Sequence, residues 1–108
     1  METRILEKDE WADELIRLWR LMDGKDVMIE VEALNLGDQV EAEFLPLKGL
    51  SYDHKDDVVQ VRVGPLEHMI NKPSKIALAV EKGRLLAIDI TDADGEQHLI
   101  KPQQAVMV

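Results

Sequence analysis

The chain contains no cysteine. That excludes disulfides, thiolate nucleophiles and Cys-ligated zinc, and it fits a reducing, cytoplasmic setting. Aromatic residues are scarce, at 4% of 108, so the core must be built from Leu, Ile, Val and Ala. No stretch approaches the roughly 20 apolar residues that a membrane-spanning helix requires. The opening METRILEKDE carries charges at Glu2, Arg4, Glu7 and Lys8 where a signal peptide needs an apolar run. Positive charge is also in short supply. Against 22 acidic residues stand 13 basic ones, for a formal net charge of −9. Nucleic-acid binding draws on Lys and Arg to neutralise phosphates, so it is disfavoured, as is binding to an anionic membrane.

What remains has a folded composition: 45% hydrophobic and 32% charged residues in a chain the length of one domain. The reading is therefore a single domain over residues 1–108. A helix is expected over about 9–22. Trp11, Leu15, Leu18 and Met22 recur at spacings of four, three and four, with Ala12, Ile16, Trp19 and Leu21 widening the stripe. Asp9 is the expected N-cap, the acidic residues sit early and Arg17 and Arg20 late, and Gly24 ends the helix.

After Lys25 the period falls to two, and antiparallel strands are expected over about 26–101 with a short C-terminal tail. Val27, Ile29 and Val31 alternate with Met28, Glu30 and Glu32. Beyond a turn at Asn35 to Asp38, Val40, Ala42 and Phe44 alternate with glutamates. Like charges directly opposite one another repel, so register or neighbouring cations must keep Glu30 and Glu32 from Glu41 and Glu43. Pro46 belongs at a bend and Gly49 at a bulge. Val59, Val61 and Val63 form a further strand, whereas LEHMIN (66–71) is read as a helical turn or loop. A meander follows, turning at EKGR and DADG. The expected architecture is α+β: an N-terminal helix packed on a strongly bent antiparallel sheet, or a small β-barrel, of about six strands.

Three segments, PLKGLSYDHKDDVVQV, HMINKPSKI and DITDADG, together with the Trp-containing helix, closely resemble a family of short bacterial proteins catalogued as a domain of unknown function. The resemblance runs from Trp11 to about Lys101. It implies a bacterial, cytoplasmic, single-domain protein and carries no catalytic role onto any residue.

Four groups of side chains invite a functional reading. DHKDD places Asp53, His54, Asp56 and Asp57 within five residues, which offers metal ligands at Asp53 and His54. Consecutive residues converge poorly on one ion, and aspartates favour turns, so a chain reversal is the preferred reading. Tyr52, Asp53 and His68 form a ligand site if the fold brings them together, His68 being the group able to act near neutral pH. ITDADGEQ fails as a calcium loop: with Gly95 in sixth place, Ile90 falls on the first ligand position and Lys101 on the twelfth. The glutamates Glu30, Glu32, Glu41 and Glu43 could face a basic partner. Because no catalytic motif meets its spacing rule, the expectation is a non-enzymatic interaction or scaffold domain that binds a protein partner or itself, with no cofactor. The alternative is a small-ligand or metal-binding protein with a site near Tyr52, Asp53, His54 and His68.

Overall fold

A computed structural model describes residues 1–33 and 37–108. The chain runs β1 (Glu2–Ile5), α1 (Trp11–Met22), β2 (Asp26–Ala33), β3 (Gly37–Asp53), β4 (Val58–Val63), β5 (Leu66–Asn71), β6 (Pro73–Glu81), β7 (Arg84–Asp92), β8 (Gln97–Pro102) and β9 (Val106–Met107). The fold is α+β, one N-terminal helix with a large antiparallel sheet, as expected. The described residues form nine strands, not about six. Three of the additional strands are β1, β5 and β9. β1 is exposed throughout and β5 buries few residues, so neither shows the alternation that marks a strand, and β9 is a two-residue strand within the C-terminal tail. LEHMIN is thus a strand, paired along its length with β4.

The strand order is β1-β6-β7-β8-β2-β3-β4-β5, with β9 paired to the start of β7. β1 and β5 lie at opposite ends of this order and do not pair, so the sheet is open and the barrel alternative is set aside. It is nonetheless strongly bent. β3 pairs with β2 up to Pro46 and with β4 from Leu47 onward, so this 17-residue strand passes from one part of the sheet into another. Register shifts fall between Val27 and Ile29, between Ile29 and Glu30 and between Leu47 and Gly49. Each inserts an extra β3 residue, and such bulges sharpen twist and curvature.

The bulges also reassign faces. Glu30 pairs with Val40 and Ile29 with Ala42, leaving Glu41 as the extra residue. Ala42 is therefore buried while Val40 is 56% exposed, so strict alternation of Val40, Ala42 and Phe44 does not hold. The same register keeps Glu30 and Glu32 from lying opposite Glu41 and Glu43, and Lys101 pairs with Glu30 at 3.2 Å. The turn expected at Asn35 to Asp38 falls largely outside the described residues.

The helix begins two residues later than expected. A 3-10 turn over Lys8–Glu10 precedes it, and the Glu10 carboxylate accepts from the Glu7 N–H at 2.8 Å. Asp9 lies inside that turn, so it does not serve as the N-cap. Gly24 follows at φ +77 and donates to the Leu47 carbonyl at 2.9 Å, tying the helix exit to the bend of β3. Trp11, Leu15, Leu18 and Met22 are buried, mostly against β3, and join Ile29, Leu47, Leu50, Ile76 and Ile88 in one core. Each such aliphatic side chain contributes about 1.5–3 kcal/mol on burial. The buried stripe is narrower than the sequence suggests, for Ala12 and Leu21 remain exposed.

Candidate functional site

Two hairpin turns carry most of the polar chemistry. The first joins β3 to β4 at residues 54–57 and contains the expected DHKDD cluster. Asp53 accepts from the Lys55 N–H at 3.0 Å, an Asx turn. Asp57 adopts φ +52, and its carboxylate accepts from the Tyr52 hydroxyl at 2.7 Å. Tyr52 also stacks edge-on against Trp11, with ring centroids 5.2 Å apart. Burial, then the bond to Asp57 and the nearby Asp57 and Asp53 charges, pushes its phenol up to about 12. His54 is exposed in the turn.

The second turn joins β7 to β8 through Asp92-Ala93-Asp94-Gly95-Glu96. Gly95 takes φ +83, the conformation that suits glycine in a hairpin. Asp92 Oδ1 accepts from the N–H groups of Asp94 (2.9 Å) and Glu96 (3.1 Å). Its Oδ2 contacts His98 Nε2 at 2.9 Å. His98 is the second residue of β8, pairs with Ile90 and lies inward like Ile100, only 6% exposed. Burial opposes the Asp92 charge, but the hydrogen bonds from His98 and the Glu96 and Asp94 amides prevail and hold its pKa below the usual value.

The chain of contacts continues. His98 Nδ1 lies 2.9 Å from His68 Nε2 on β5. β8 and β5 are not neighbours in the sheet; the bent β3 carries β4 and β5 back so that the two rings meet. The partners determine the proton positions when both rings are neutral. An ionised Asp92 can only accept, so His98 carries its proton on Nε2, and its Nδ1 must accept. His68 then donates from Nε2, which leaves His68 Nδ1 as a bare acceptor. Burial first, and the neighbouring His98 second, lower the His68 pKa, with Glu41 pulling the other way.

His68 lies on the wall of a small cleft of about 120 Å³. Ile29, Ala42 and Val63 supply apolar lining, and all three are buried. Glu41, Glu67 and Leu66 complete it, and all three are exposed at the mouth.

The sequence-derived residues thus separate. Tyr52 is joined to Asp57, Asp53 to the Lys55 amide, and His68 to His98. The fold brings none of Tyr52, Asp53 and His54 into hydrogen-bond contact with His68. Of the four glutamates, Glu41 reaches the cleft, Glu30 pairs with Lys101, Glu32 is half-buried and Glu43 is exposed. Asp92 and His98 were not singled out as site residues. One signal was present: His98 shares its alternation with Ile100, an inward position for a polar ring. Asp92, Glu96 and His98 hold donor atoms within 4.8 Å of one another, the one such group of three or more among the described residues. Both Asp92 oxygens and His98 Nε2 are already engaged by one another and by backbone amides.

An N-terminal helix followed by a bent, open antiparallel sheet, with an Asp–His–His relay behind a small acidic-rimmed cleft, defines a small α+β protein without a nucleophile motif. Residues 2–106 match the Family of unknown function (DUF5335), and the chain belongs to that family. It is similar to an uncharacterized protein of the bacterium Aquifex aeolicus (strain VF5), 33% identical over 107 residues, 98% of this chain and 96% of the relative. No solved structure matches the chain.

Proposed function

We propose that this protein is a non-enzymatic, cytoplasmic interaction domain that takes an extended, basic segment of a protein partner along the free edge of β5. The observation that carries this reading is the end of the sheet. Among the described residues β5 is hydrogen-bonded to β4 alone, and it bears Leu66 and Met69, 44% and 41% exposed. An unpaired edge with apolar side chains is a template for strand addition, in which main-chain bonds give affinity and side chains give selectivity. Glu41, Glu43 and Glu67 are exposed acids in this part of the molecule or near it in sequence, and the net charge of −9 favours a basic segment. In this reading the partner-facing glutamates are Glu41 and Glu67 at the cleft, with Glu43 close to Glu41 in sequence.

Selection of peptides by phage display against the immobilised protein, followed by amide hydrogen exchange on a complex with a selected peptide, tests it. The β5 amides should gain protection, and selected sequences should be rich in Lys or Arg. A selection that yields no peptide, or protection elsewhere with β5 unchanged, overturns the reading. The small-ligand alternative keeps one support, the position of His68 on the cleft.

A further inference from the structure

We propose that the cleft beside His68 is a pocket for a lysine side chain of that partner, its ammonium group received by acceptors alone and its methylene stem by the apolar lining. The choice of ligand follows from the proton positions of the relay. With both rings neutral and Asp92 ionised, Asp92 accepts from His98, His98 accepts from His68, and His68 Nδ1 is left with a lone pair and no partner among the described residues. The other polar side chains of the cleft are the carboxylates of Glu41 and Glu67, which also only accept. A pocket whose side chains offer acceptors and no donors suits a head group that carries donors and no acceptor, which is an ammonium ion. A carboxylate or phosphate would meet like charge and find no donor.

Size narrows the choice further. A volume of about 120 Å³ exceeds what one water needs and falls short of the ~150 Å³ cavity that admits benzene. An unbranched alkyl stem with a compact charge fits that interval better than a planar guanidinium with five diverging donors. Ile29, Ala42 and Val63 give the stem an apolar wall, as lysine stems commonly find beneath an exposed head. The inference rests on the β5-edge reading only for the source of the lysine; the chemistry of the cleft stands apart from it.

The test uses the whole protein and n-butylammonium chloride as a probe, followed by methyl NMR at pH 7.5. The probe should shift the Ile29, Val63 and Leu66 methyl signals saturably, whereas n-butanol and n-propylguanidinium should bind more weakly. The Glu41→Gln/Glu67→Gln double variant should weaken binding roughly three- to tenfold, the scale of two exposed charge pairs. Ring nitrogen NMR should find His68 protonated on Nε2 and bare on Nδ1. Butanol or propylguanidinium binding as tightly as butylammonium, no saturable binding, an unchanged double variant or the reversed His68 tautomer each overturns the pocket. Butylammonium binding without any β5-directed peptide retains the pocket and removes the partner reading.

Discussion

The two acidic, histidine-bearing hairpins end differently. At β3–β4 the sequence DHKDD turns in solvent: His54 is exposed, Asp53 caps an amide, and Asp57 holds Tyr52. At β7–β8 the sequence DADGEQH sends its histidine inward, where it bonds back to Asp92 and onward to His68. Composition barely separates them. The position of the histidine does, for His54 lies within the turn while His98 lies one residue into the strand, on the face shared with Ile100. A turn leaves a side chain in water, whereas an inward strand position commits it to the core, where it needs partners.

The largest contrast should appear on removing each histidine. His98→Ala leaves Asp92 and His68 without their shared partner and opens space in the core, so chemical denaturation should show a loss of about 2–4 kcal/mol. His54→Ala should stay within about 0.5 kcal/mol. Equal losses would erase the distinction between the two turns.

Replacing the carboxylates comes next. Asp92→Asn retains an acceptor for the two amides but can turn an N–H toward His98 Nε2, which forces either a clash of donors or reversal of both ring tautomers. A loss of about 1–3 kcal/mol is expected, with ring nitrogen NMR reporting the reversal. At the other turn, Tyr52→Phe removes one hydroxyl–carboxylate bond and should cost about 0.5–1.5 kcal/mol. Asp57→Asn should bring the Tyr52 phenol down from about 12 towards its ordinary value, read by ultraviolet titration.

The smallest effect is in the pH dependence. The folded His68 pKa lies below the unfolded value of 6.5, so the unfolded chain binds more protons between the two. Stability is then fully present above 6.5 and declines as pH falls through the window beneath it. His68→Gln should flatten that part of the stability–pH curve. For Asp92, whose folded pKa is depressed below 3.8, the contribution is present above that value and is lost as pH falls further.

Much of the fold was legible because it is written in short-range spacing. Trp11, Leu15, Leu18 and Met22 gave the helix face, and glycines marked turns that the structure shows with positive φ at Gly83 and Gly95. The EKGR turn has both Lys82 and Gly83 at positive φ, as a tight two-residue hairpin requires. The strand count came out low where little is buried: β1 is exposed throughout and β5 turns mostly polar or exposed residues outward. Val40 was misassigned because a bulge shifts the alternation by one, and a bulge at Glu41 leaves no mark in the sequence. The relay was illegible for a different reason. His68 and His98 are 30 residues apart and reside on strands separated by three others, so no local pattern connects them.

By itself the sequence determined the apolar helix stripe, the two-residue rhythm, the reversals and the acidic balance, all properties of neighbouring residues and their side-chain periods. The tertiary structure alone decided which polar groups meet. That outcome depends on the accumulated bend of β3, whose three register shifts fold β4 and β5 back and bring His68 to His98 and the acidic mouth of the cleft. Curvature is a sum over many backbone torsions and packing contacts, and no single stretch of residues specifies it.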